Sequence, residues 1–285
     1  MKNIPQYSKF PDGINRPFVP VSHRNEEYDE NDFDVLINMQ VSHFWYIGRH
    51  KFLLNEVDKF SSVSQQPLSA IDFGGGVGGW LNYLITHRPG LYRSLALADS
   101  SNEALRKAAS ILPESIQLFQ VDLMRLEMKN LWDIAFLLDV IEHLPDDLKV
   151  LEQVYESLKP GGYLFVTAPA FQNFWSYNDD AMHHLRRYQS KDFIELANKV
   201  GLELVETRYF MFYLSPLYIL SRLVGAFKGE MTLAQKKALS LKQHKVPIFF
   251  INKILAIIFS LESLFSNLIQ FPWGTSILAV LRKRQ

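Results

Sequence analysis

The segment Ile71–Trp80, IDFGGGVGGW, joins a carboxylate to a glycine-rich turn, a combination of residues that could bind a charged cofactor. Glycines allow the backbone to turn tightly after a strand, so that the N-terminus of the next helix faces the ligand. Two binding patterns fit the segment. The dinucleotide pattern G-x-G-x-x-G matches Gly74, Gly76 and Gly79. The D-x-G-x-G-x-G pattern of an S-adenosylmethionine turn matches Asp72, Gly74, Gly76 and Gly78.

Three acidic residues at the ends of predicted strands favour the S-adenosylmethionine pattern. Asp72 precedes the turn, where a carboxylate can hold the ammonium group of the cofactor's amino-acid tail. Asp99 ends the second strand, where an acid can accept both ribose hydroxyls in either cofactor class. Asp122 ends the third strand, where an acid can accept the exocyclic amine of adenine. Helix capping would explain Asp99 or Asp122 taken alone. Because both acids are predicted at strand ends on the same side of one sheet, cofactor binding explains them better than capping does.

Strand-like and helix-like segments alternate from Ser69 to Phe210, beginning with SAIDF, GGWLNYLITH and SLALAD. Short β-rich segments separated by helices of about three turns predict a parallel sheet that is covered on both faces. Apolar residues at helical spacing from about Asp34 to Phe60 predict a helix before the sheet. Residues 1–34 show little periodicity and end in the acidic run 26–34, so we expect a solvated arm there that can fold over the domain.

The composition excludes several classes of site. The chain of 285 residues is 48% hydrophobic, which suits one large domain or a domain with a sizeable insertion. Its formal net charge of zero argues against general nucleic-acid binding. The absence of cysteine excludes disulfides, thiolate zinc sites and cysteine nucleophiles. The polar, proline-containing first twenty residues lack the apolar core of a signal peptide, so we expect a cytoplasmic protein.

Between Ser69 and Phe210 the sequence resembles the class I S-adenosylmethionine-dependent methyltransferases. The resemblance is carried, in the family's order, by AIDFGGGVGGW, LALADSS, QVDLM, LLDVIEHLPDD and LKPGGYLFVTAP. The last segment is the most specific, because dehydrogenases lack its Pro-Gly-Gly turn into strand five. The resemblance implies an α/β fold with a doubly wound, seven-stranded, Rossmann-like sheet. Its last strand would be antiparallel, and residues 275–283, TSILAVLRK, are the candidate for it.

The resemblance also implies S-adenosyl-L-methionine as the cofactor and a set of contacts to it. The glycines would approach the methionine part, Asp99 the ribose, and Asp122 with Leu123 the adenine. Arg49 matches an arginine that contacts the cofactor in related enzymes, although an ordinary surface arginine is nearly as good an interpretation. The predicted cofactor-binding residues are Arg49, Asp72, Gly74, Gly75, Gly76, Gly78, Asp99, Ser100, Asp122, Leu123 and Leu138.

Methyl transfer from a sulfonium is an in-line displacement, so the protein mainly aligns the nucleophile and, where needed, removes its proton. One cluster that could help is D-V-I-E-H, with Asp139, Glu142 and His143 after strand four. The other is the segment 175–188, WSYNDDAMHHLRRY, after strand five. Both follow the carboxyl ends of strands, so we expect them to border one crevice.

Within the superfamily the resemblance narrows to enzymes with a D/E-x-x-E-H motif and a later H-x-R-R-Y motif. The later motif begins here at His184, which we prefer as the site residue because relatives often carry a small residue at the position of His183. Many relatives have a second histidine where this chain has Asn178, which weakens any mechanism that needs two histidines in this segment. Arg186 and Arg187 could hold an anionic substrate group or pair with the acidic patch Asp179–Asp180.

Three interpretations of the two clusters remain open. His143 or His184 could be the general base that takes a proton from a hydroxyl, with Asp139 beside the reacting centre. Alternatively, Asp139, Glu142, His143 and His184 could bind a divalent cation such as Mg²⁺ that lowers the pKa of the hydroxyl. Some ubiquinone-pathway and small-RNA 2′-O-methyltransferases use a similar motif in this way. The third interpretation is that Glu142 and His143 only order the loop after strand four.

The long connection between the last two strands, residues 211–273, is apolar at both ends and basic in the middle. From Arg222 to Lys245 there are six lysines and arginines against one acid, Glu230. Polar or charged residues interrupt both apolar stretches, so neither is predicted to span a membrane. The second stretch reads as an amphipathic helix. Its apolar face would carry Ile251, Ile254, Leu255, Ile258, Leu261, Phe265 and Leu268, and its polar face Ser260, Ser263, Ser266, Asn267 and Gln270.

Four roles for this insertion remain open: docking on an anionic membrane surface, a lid over an apolar substrate, a homodimer interface, or a helical pair packed on the sheet. We therefore divide the chain into an N-terminal arm and covering helix (1–60), a cofactor-binding core (61–210), the helical insertion (211–273) and the last strand (274–285).

The sequence predicts an enzyme that O-methylates a hydrophobic or lipid-linked small molecule, with N- or C-methylation left open. We expect it in the cytoplasm and peripheral to the inner face of a membrane. One alternative is a catalytically silent binding protein that keeps the methyltransferase fold. The other is an RNA 2′-O-methyltransferase, against which the neutral charge counts.

Overall fold

The computed structural model describes residues 7–21, 33–61, 66–226, 231–243, 245–265 and 269–285. Its strands are β1 (Tyr7–Lys9), β2 (Ile14–Pro17), β3 (Leu68–Phe73), β4 (Tyr92–Asp99), β5 (Gln117–Gln120), β6 (Trp132–Leu138), β7 (Leu158–Pro169), β8 (Leu202–Phe210) and β9 (Ser276–Lys283). Its α-helices are α1 (Phe33–Ser42), α2 (Phe44–Ser61), α3 (Gly79–His87), α4 (Asn102–Ile111), α5 (Asp147–Ser157), α6 (Tyr177–Ala181), α7 (Ser190–Val200), α8 (Ser215–Ala226), α9 (Leu233–Gln243) and α10 (Phe249–Phe265). Two 3₁₀ helices span Ile141–His143 and Gln172–Phe174.

The strands form one mixed sheet in the order β1-β2-β5-β4-β3-β6-β7-β9-β8. Strands β5, β4, β3, β6 and β7 run parallel to one another, whereas β9 runs antiparallel between β7 and β8. The predicted α/β methyltransferase fold is thus confirmed in outline. The order of the strands reverses beside β3, where ligands bind in open α/β sheets.

The sheet has nine strands rather than the seven that the resemblance implies, because the N-terminal segment adds β1 and β2 at one edge. Strand β2 pairs in parallel with β5, and β1 pairs with β2. Ile14 is buried, and the ring of Tyr7 packs edge-on against Phe119. Residues 7–17 of the predicted arm thus fold onto the edge of the domain as two short strands, which their lack of periodicity did not indicate. Most of the acidic run 26–34 lies outside the described residues.

Two hydrophobic cores lie on opposite faces of the sheet, because alternate residues of each strand point to opposite sides. Ala70 belongs to the core under α2, α3 and α10, and Ile71 to the core under α5 and α7. Burial on both faces explains why the central strands read as nearly continuous apolar runs.

Helices α8, α9 and α10 lie between β8 and β9 along the chain. Helix α10 packs on α2, where the ring of Phe259 lies over Gly48. The residues predicted to form a single apolar face of α10 point in different directions in the structure. Leu255 and Ile258 pack against the core while Ile251, Ile254, Leu261 and Phe265 are exposed, and Leu268 lies outside the described residues. In the described part of the chain, no helix is both long enough and apolar enough to cross a bilayer.

Substituting Gly48 with alanine is expected to destabilise the fold by about 1–3 kcal/mol, because a Cβ there would overlap the ring of Phe259. Alanine otherwise favours a helix interior over glycine by about 1 kcal/mol. The same substitution in a Phe259→Ala background should therefore be neutral or stabilising. Urea unfolding of the wild type, both single variants and the double variant checks this, and simple additivity would contradict the close packing.

Candidate active site

A cavity of about 590 Å³ lies at the carboxyl ends of the parallel strands. It is lined by nearly all of the residues that the sequence analysis selected. These are Arg49, Asp72, Gly74, Gly75, Gly76, Asp99, Ser100, Asp122, Leu123, Leu138, Asp139, Glu142, His143 and His184. Gly78 is the exception: it precedes α3 with a φ of 83°, and a Cβ at this position would meet Leu112. Its glycine is required by the turn and by packing rather than by the cavity.

The glycine-rich turn is fastened to the end of β4 by backbone hydrogen bonds. Gly74 N–H donates to the carbonyl oxygen of Ala98 at 2.7 Å, and Gly76 N–H donates to Asp99 Oδ2 at 2.9 Å. Ser101 N–H donates to Asp99 Oδ1 at 2.9 Å. Both Gly74 and Gly76 have positive φ, which favours glycine. Asp99 is therefore held between the turn and the start of α4, at the edge of the cavity.

Asp72 lies at the floor of the cavity with almost no exposure to solvent. A Cβ at position 75 would overlap its carboxylate, so the glycine there makes room for the acid. Burial, opposed by the charge of Arg49 and aided by that of Asp99, raises the pKa of Asp72 to about 8. Among the described residues, Asp72 Oδ1 has no hydrogen-bond partner. A buried carboxylate of this kind favours a cationic partner.

Asp139 is paired with Arg49. Their atoms Oδ2 and Nη2 lie 2.5 Å apart, and the Arg49 guanidinium carbon lies 5.0 Å from the centre of the Trp45 ring. Asp139 follows β6 with a φ of 57°, and its N–H donates to the carbonyl oxygen of Thr167 at 2.9 Å. The motif D-V-I-E-H predicts, in one interpretation, a metal-binding set of Asp139, Glu142 and the histidines, but in the structure the Asp139 carboxylate is paired with Arg49.

Glu142, His143 and His184 come together on another wall of the cavity. Each offers a potential ligand atom within 4.8 Å of the other two, and the two imidazole rings meet edge-on at 4.8 Å between centres. Leu185 N–H donates to the Glu142 carbonyl oxygen at 2.8 Å, which joins the segments that carry them. Burial lowers the pKa of His143 to about 3, so this ring is neutral near pH 7. Burial and the charge of Asp139 raise the pKa of Glu142 well above its ordinary value.

His184 is oriented by Asp179, a fully buried acid that the sequence analysis considered only as part of a patch for arginines. His184 Nδ1 lies 3.0 Å from Asp179 Oδ1. Arg187 Nε and Nη2 donate to the two oxygens of the same carboxylate at 2.8 and 2.9 Å. Burial opposes ionisation, but hydrogen bonds from His184 and Arg187 hold the pKa of Asp179 at about 2. We assign the proton of His184 to Nδ1, which leaves Nε2 as the acceptor nitrogen.

The local sequence explains the position of Asp179. Ser176 begins α6, its N–H donates to Asp179 Oδ2 at 2.8 Å, and the two residues form a capping box. The S-x-x-D pattern of 176–179 was therefore the available signal. The neighbouring charges are used elsewhere: Asp180 pairs with Lys236, and Arg186 pairs with Asp147.

The donor set Glu142, His143 and His184 fits a divalent cation in part. Glu142 Oε2 and His143 Nδ1 have no hydrogen-bond partner among the described residues, and a carboxylate stands behind His184 as it does behind many metal-binding histidines. Two imidazoles and one carboxylate suit Zn²⁺ or Fe²⁺ better than Mg²⁺, which prefers oxygen ligands.

Another wall of the cavity is apolar and includes residues of the segment after β8. Leu214 precedes α8, Leu217 and Tyr218 lie on α8, and Leu255 lies on α10. Asn178 also lines the cavity, and its side-chain oxygen accepts a hydrogen bond from Ser240 of α9 at 2.7 Å. The cavity thus has an acidic, glycine-lined end and an apolar end, with His184 among its lining residues.

Many solved structures share this fold, among them the following three. Two are of phosphoethanolamine N-methyltransferase 2 from Haemonchus contortus, both with a TM-score of 0.57. The one with S-adenosyl-L-methionine is 16% identical and covers 92% of this chain and 59% of that chain. The one with phosphomonomethylethanolamine and S-adenosylhomocysteine is 17% identical and covers 95% and 63%. The plantazolicin methyltransferase BamL has a TM-score of 0.55 and 12% identity, covering 90% and 94%.

Sequence comparison identifies the family. A curated relative, phosphoethanolamine N-methyltransferase 2 of Caenorhabditis elegans, is 31% identical over 84 residues, which are 27% of this chain and 19% of that protein. The chain thus matches only about a fifth of the length of this relative. Residues 45–207, more than half of the chain, match a family model described as a methyltransferase domain. The predicted membership is confirmed: the chain belongs to the S-adenosyl-L-methionine-dependent methyltransferase family.

Proposed function

We propose that this protein transfers the methyl group of S-adenosyl-L-methionine to a hydroxyl oxygen of a hydrophobic or lipid-linked small molecule. The observation that carries the proposal is the pairing of His184 with the buried Asp179 in a cavity that has an acidic end and an apolar end. The acidic end suits the cofactor and the apolar end suits the acceptor. A base that lines the same cavity suits the proton transfer between them.

In this proposal the cofactor lies along the carboxyl ends of β3, β4 and β5. Asp99 accepts the ribose hydroxyls, and Asp122 with Leu123 borders the adenine. Asp72 attracts the ammonium group, for which a buried carboxylate without a hydrogen-bond partner on Oδ1 is suited. Residues 61–210 and 274–285 form the cofactor-binding core, and residues 211–273 complete the acceptor side.

The reaction proceeds in one displacement. The oxygen of the acceptor forms a bond to the methyl carbon while the bond from that carbon to sulfur breaks, and S-adenosylhomocysteine leaves as a neutral thioether. The proton of the hydroxyl passes to His184 Nε2. Asp179, which is ionised, stabilises the resulting imidazolium through Nδ1–H. His143 stays neutral, because burial lowers its pKa to about 3.

The charges around the cavity favour a neutral acceptor over a phosphorylated one. Among the described lining residues, the permanently charged cations are Arg49 and Arg187. Arg49 is paired with Asp139 and Arg187 with Asp179. A phosphate such as that of phosphomonomethylethanolamine, which the Haemonchus enzyme binds, would have to displace one of these carboxylates.

A second candidate mechanism uses a divalent cation, which the cluster of Glu142, His143 and His184 favours. Such an ion, held by these residues, would lower the pKa of an acceptor hydroxyl. The two mechanisms are distinguished by dialysis against a chelator. Loss of turnover that returns with Zn²⁺ or Mn²⁺ supports the cation, and unchanged turnover supports His184 alone.

The function is tested by incubating the protein with methyl-labelled S-adenosyl-L-methionine and a total lipid extract. We expect label in the organic phase. Mass spectrometry and NMR of the labelled product should show that its new methyl group is bound to oxygen. Label on a nitrogen atom or in RNA would show that the methyl acceptor is not the proposed hydroxyl. Binding of S-adenosylhomocysteine without transfer to any extract would favour a catalytically silent protein.

Binding of S-adenosylhomocysteine is expected to release a proton near pH 7 and to strengthen by roughly tenfold or more from pH 6 to pH 8. The reason is that the raised pKa of Asp72, about 8, leaves the carboxyl protonated below that pH, whereas the ligand's ammonium group requires the carboxylate. Calorimetry in buffers of different ionisation enthalpy measures the proton. Methylthioadenosine, which lacks the amino-acid tail, and the Asp72→Asn variant are the controls, and both should show little pH dependence.

A further inference from the structure

Helix α10 turns three of its polar side chains, those of Asn252, Glu262 and Ser263, towards the protein. Asn252 Nδ2 donates to the Ser42 carbonyl oxygen at 2.7 Å. Ser263 Oγ accepts a hydrogen bond from Asn55 at 2.7 Å, and the buried Glu262 accepts one from the N–H of Phe212 at 2.8 Å. These contacts hold the side chains of Asn252, Glu262 and Ser263 against the protein.

The outward face of α10 is apolar over roughly half of the helix circumference. Its exposed side chains include Phe249, Phe250, Ile254, Ile257, Leu261 and Leu264. Phe250 is 74% exposed and Ile254 is 56% exposed. A water-facing helix normally has the opposite arrangement, with apolar residues inward. A contiguous apolar surface of this kind on a folded protein indicates an interaction site.

The charges beside this face are positive. Lys253 is exposed on the outward side of α10, and Lys245 is exposed just before the helix. The acid of α10, Glu262, is 1% exposed and points inward. Among the described residues of α8, α9 and α10 it is the single acidic residue. Exposed apolar side chains with lysines at their edge are the pattern of helices that lie in the interface of an anionic membrane.

We propose that the outward face of α10 docks on the surface of an anionic phospholipid bilayer, with the helix parallel to the membrane plane. Lipid phosphates would neutralise Lys245 and Lys253, whose stems lie along apolar surface while their ammonium groups reach the headgroups. A second copy of the chain would instead bring two Lys253 side chains into a shared apolar contact. The apolar arc is also broader than the narrow seam of a two-helix coiled coil.

The docking face adjoins the cavity. Leu217 of α8 lines the cavity and is 54% exposed, so it stands at the opening. Leu255 lines the cavity and directly follows Ile254 of the outward face. In the docked protein, the apolar end of the cavity would therefore open near the lipid. The docking itself does not depend on which acceptor is methylated.

Sedimentation of the full chain with sucrose-loaded vesicles tests the proposal. One set contains phosphatidylglycerol and phosphatidylcholine, and the other contains phosphatidylcholine alone. We expect binding to the anionic vesicles that weakens with salt. The Ile254→Ser/Ile257→Ser variant should bind at least tenfold more weakly. The matched control is Ile194→Ser/Val205→Ser, which replaces two exposed apolar residues of α7 and β8 and should bind as the wild type does.

A Lys245→Glu/Lys253→Glu variant tests the charge separately, since it should lose binding to anionic vesicles while the apolar face is intact. Calorimetry should give the same affinity for S-adenosylhomocysteine in every variant, which shows that each variant is folded. The vesicle test can then fail without any bearing on the identity of the methyl acceptor. Absence of wild-type binding to either vesicle would overturn the proposal, as would equal binding of the Ile254→Ser/Ile257→Ser variant. A wild-type dimer that this variant converts to a monomer, without vesicle binding, would assign the face to a second copy.

Discussion

Replacing His184 with asparagine is expected to slow methyl transfer by about 10²–10⁴-fold, while the affinity for S-adenosylhomocysteine changes by less than about twofold. Asparagine can keep a hydrogen bond to Asp179 but cannot accept the proton of the acceptor hydroxyl. The loss should therefore lie in kcat rather than in cofactor binding. Steady-state kinetics with the acceptor found in the lipid extract, and calorimetry with S-adenosylhomocysteine, measure the two effects.

The matched control is His183→Asn. His183 is adjacent in sequence but is not among the residues that line the cavity, and its φ of 57° is one that asparagine tolerates. Its turnover should stay close to that of the wild type. If His184→Asn retains wild-type turnover, His184 is not the base, and the reaction needs either no base or the cation described above.

Replacing Asp99 with alanine is expected to weaken S-adenosylhomocysteine binding by about 1–3 kcal/mol, or roughly five- to 150-fold. The carboxylate accepts hydrogen bonds from the N–H groups of Gly76 and Ser101, and it lines the cavity where the ribose is proposed to lie. The variant loses the ribose contacts and also loosens the glycine-rich turn. Calorimetry gives the affinity, and thermal unfolding reports any general loss of stability.

The two causes are separated with a dideoxy analogue of S-adenosylhomocysteine that lacks both ribose hydroxyls. The wild-type protein should bind the analogue more weakly than it binds S-adenosylhomocysteine. The Asp99→Ala variant should bind the two ligands equally well, because it already lacks the partner of the ribose hydroxyls. If the analogue loses as much affinity in the variant as in the wild type, the ribose assignment is wrong, and Asp99 acts only on the turn.

The cofactor end of the cavity was accessible to sequence reasoning because its signals are local. A strand, a glycine-rich turn and a helix follow one another within about twenty residues, and acids at strand ends meet at one edge of a parallel sheet. Asp72, Asp99 and Asp122 therefore line one cavity, as the sequence analysis expected. Strands β1 and β2 were missed because three or four residues are too few to show an alternating pattern.

The role of Asp179 and the partner of Asp139 were decided by tertiary structure. Asp179 contacts His184 and Arg187 because the segment after α6 folds back against this helix, where the Asp179 carboxylate is buried. Arg49 reaches Asp139 from α2, ninety positions earlier in the chain. The sequence suggests the pairing of Arg187 with the patch Asp179–Asp180 as one of two alternatives. No periodicity marks the contact of His184 with Asp179 or that of Arg49 with Asp139.

The orientation of α10 shows the same division most directly. The sequence by itself determined an amphipathic helix, because its apolar and polar residues recur with helical spacing. It did not determine which face would turn inward. That was decided by the fit of Phe259 over Gly48 and by the hydrogen bonds of Asn252 and Ser263 to α1 and α2. Such contacts exist only once the two helices are packed. They bring Leu255 and Ile258 against the core and leave Ile251, Ile254, Leu261 and Phe265 outward.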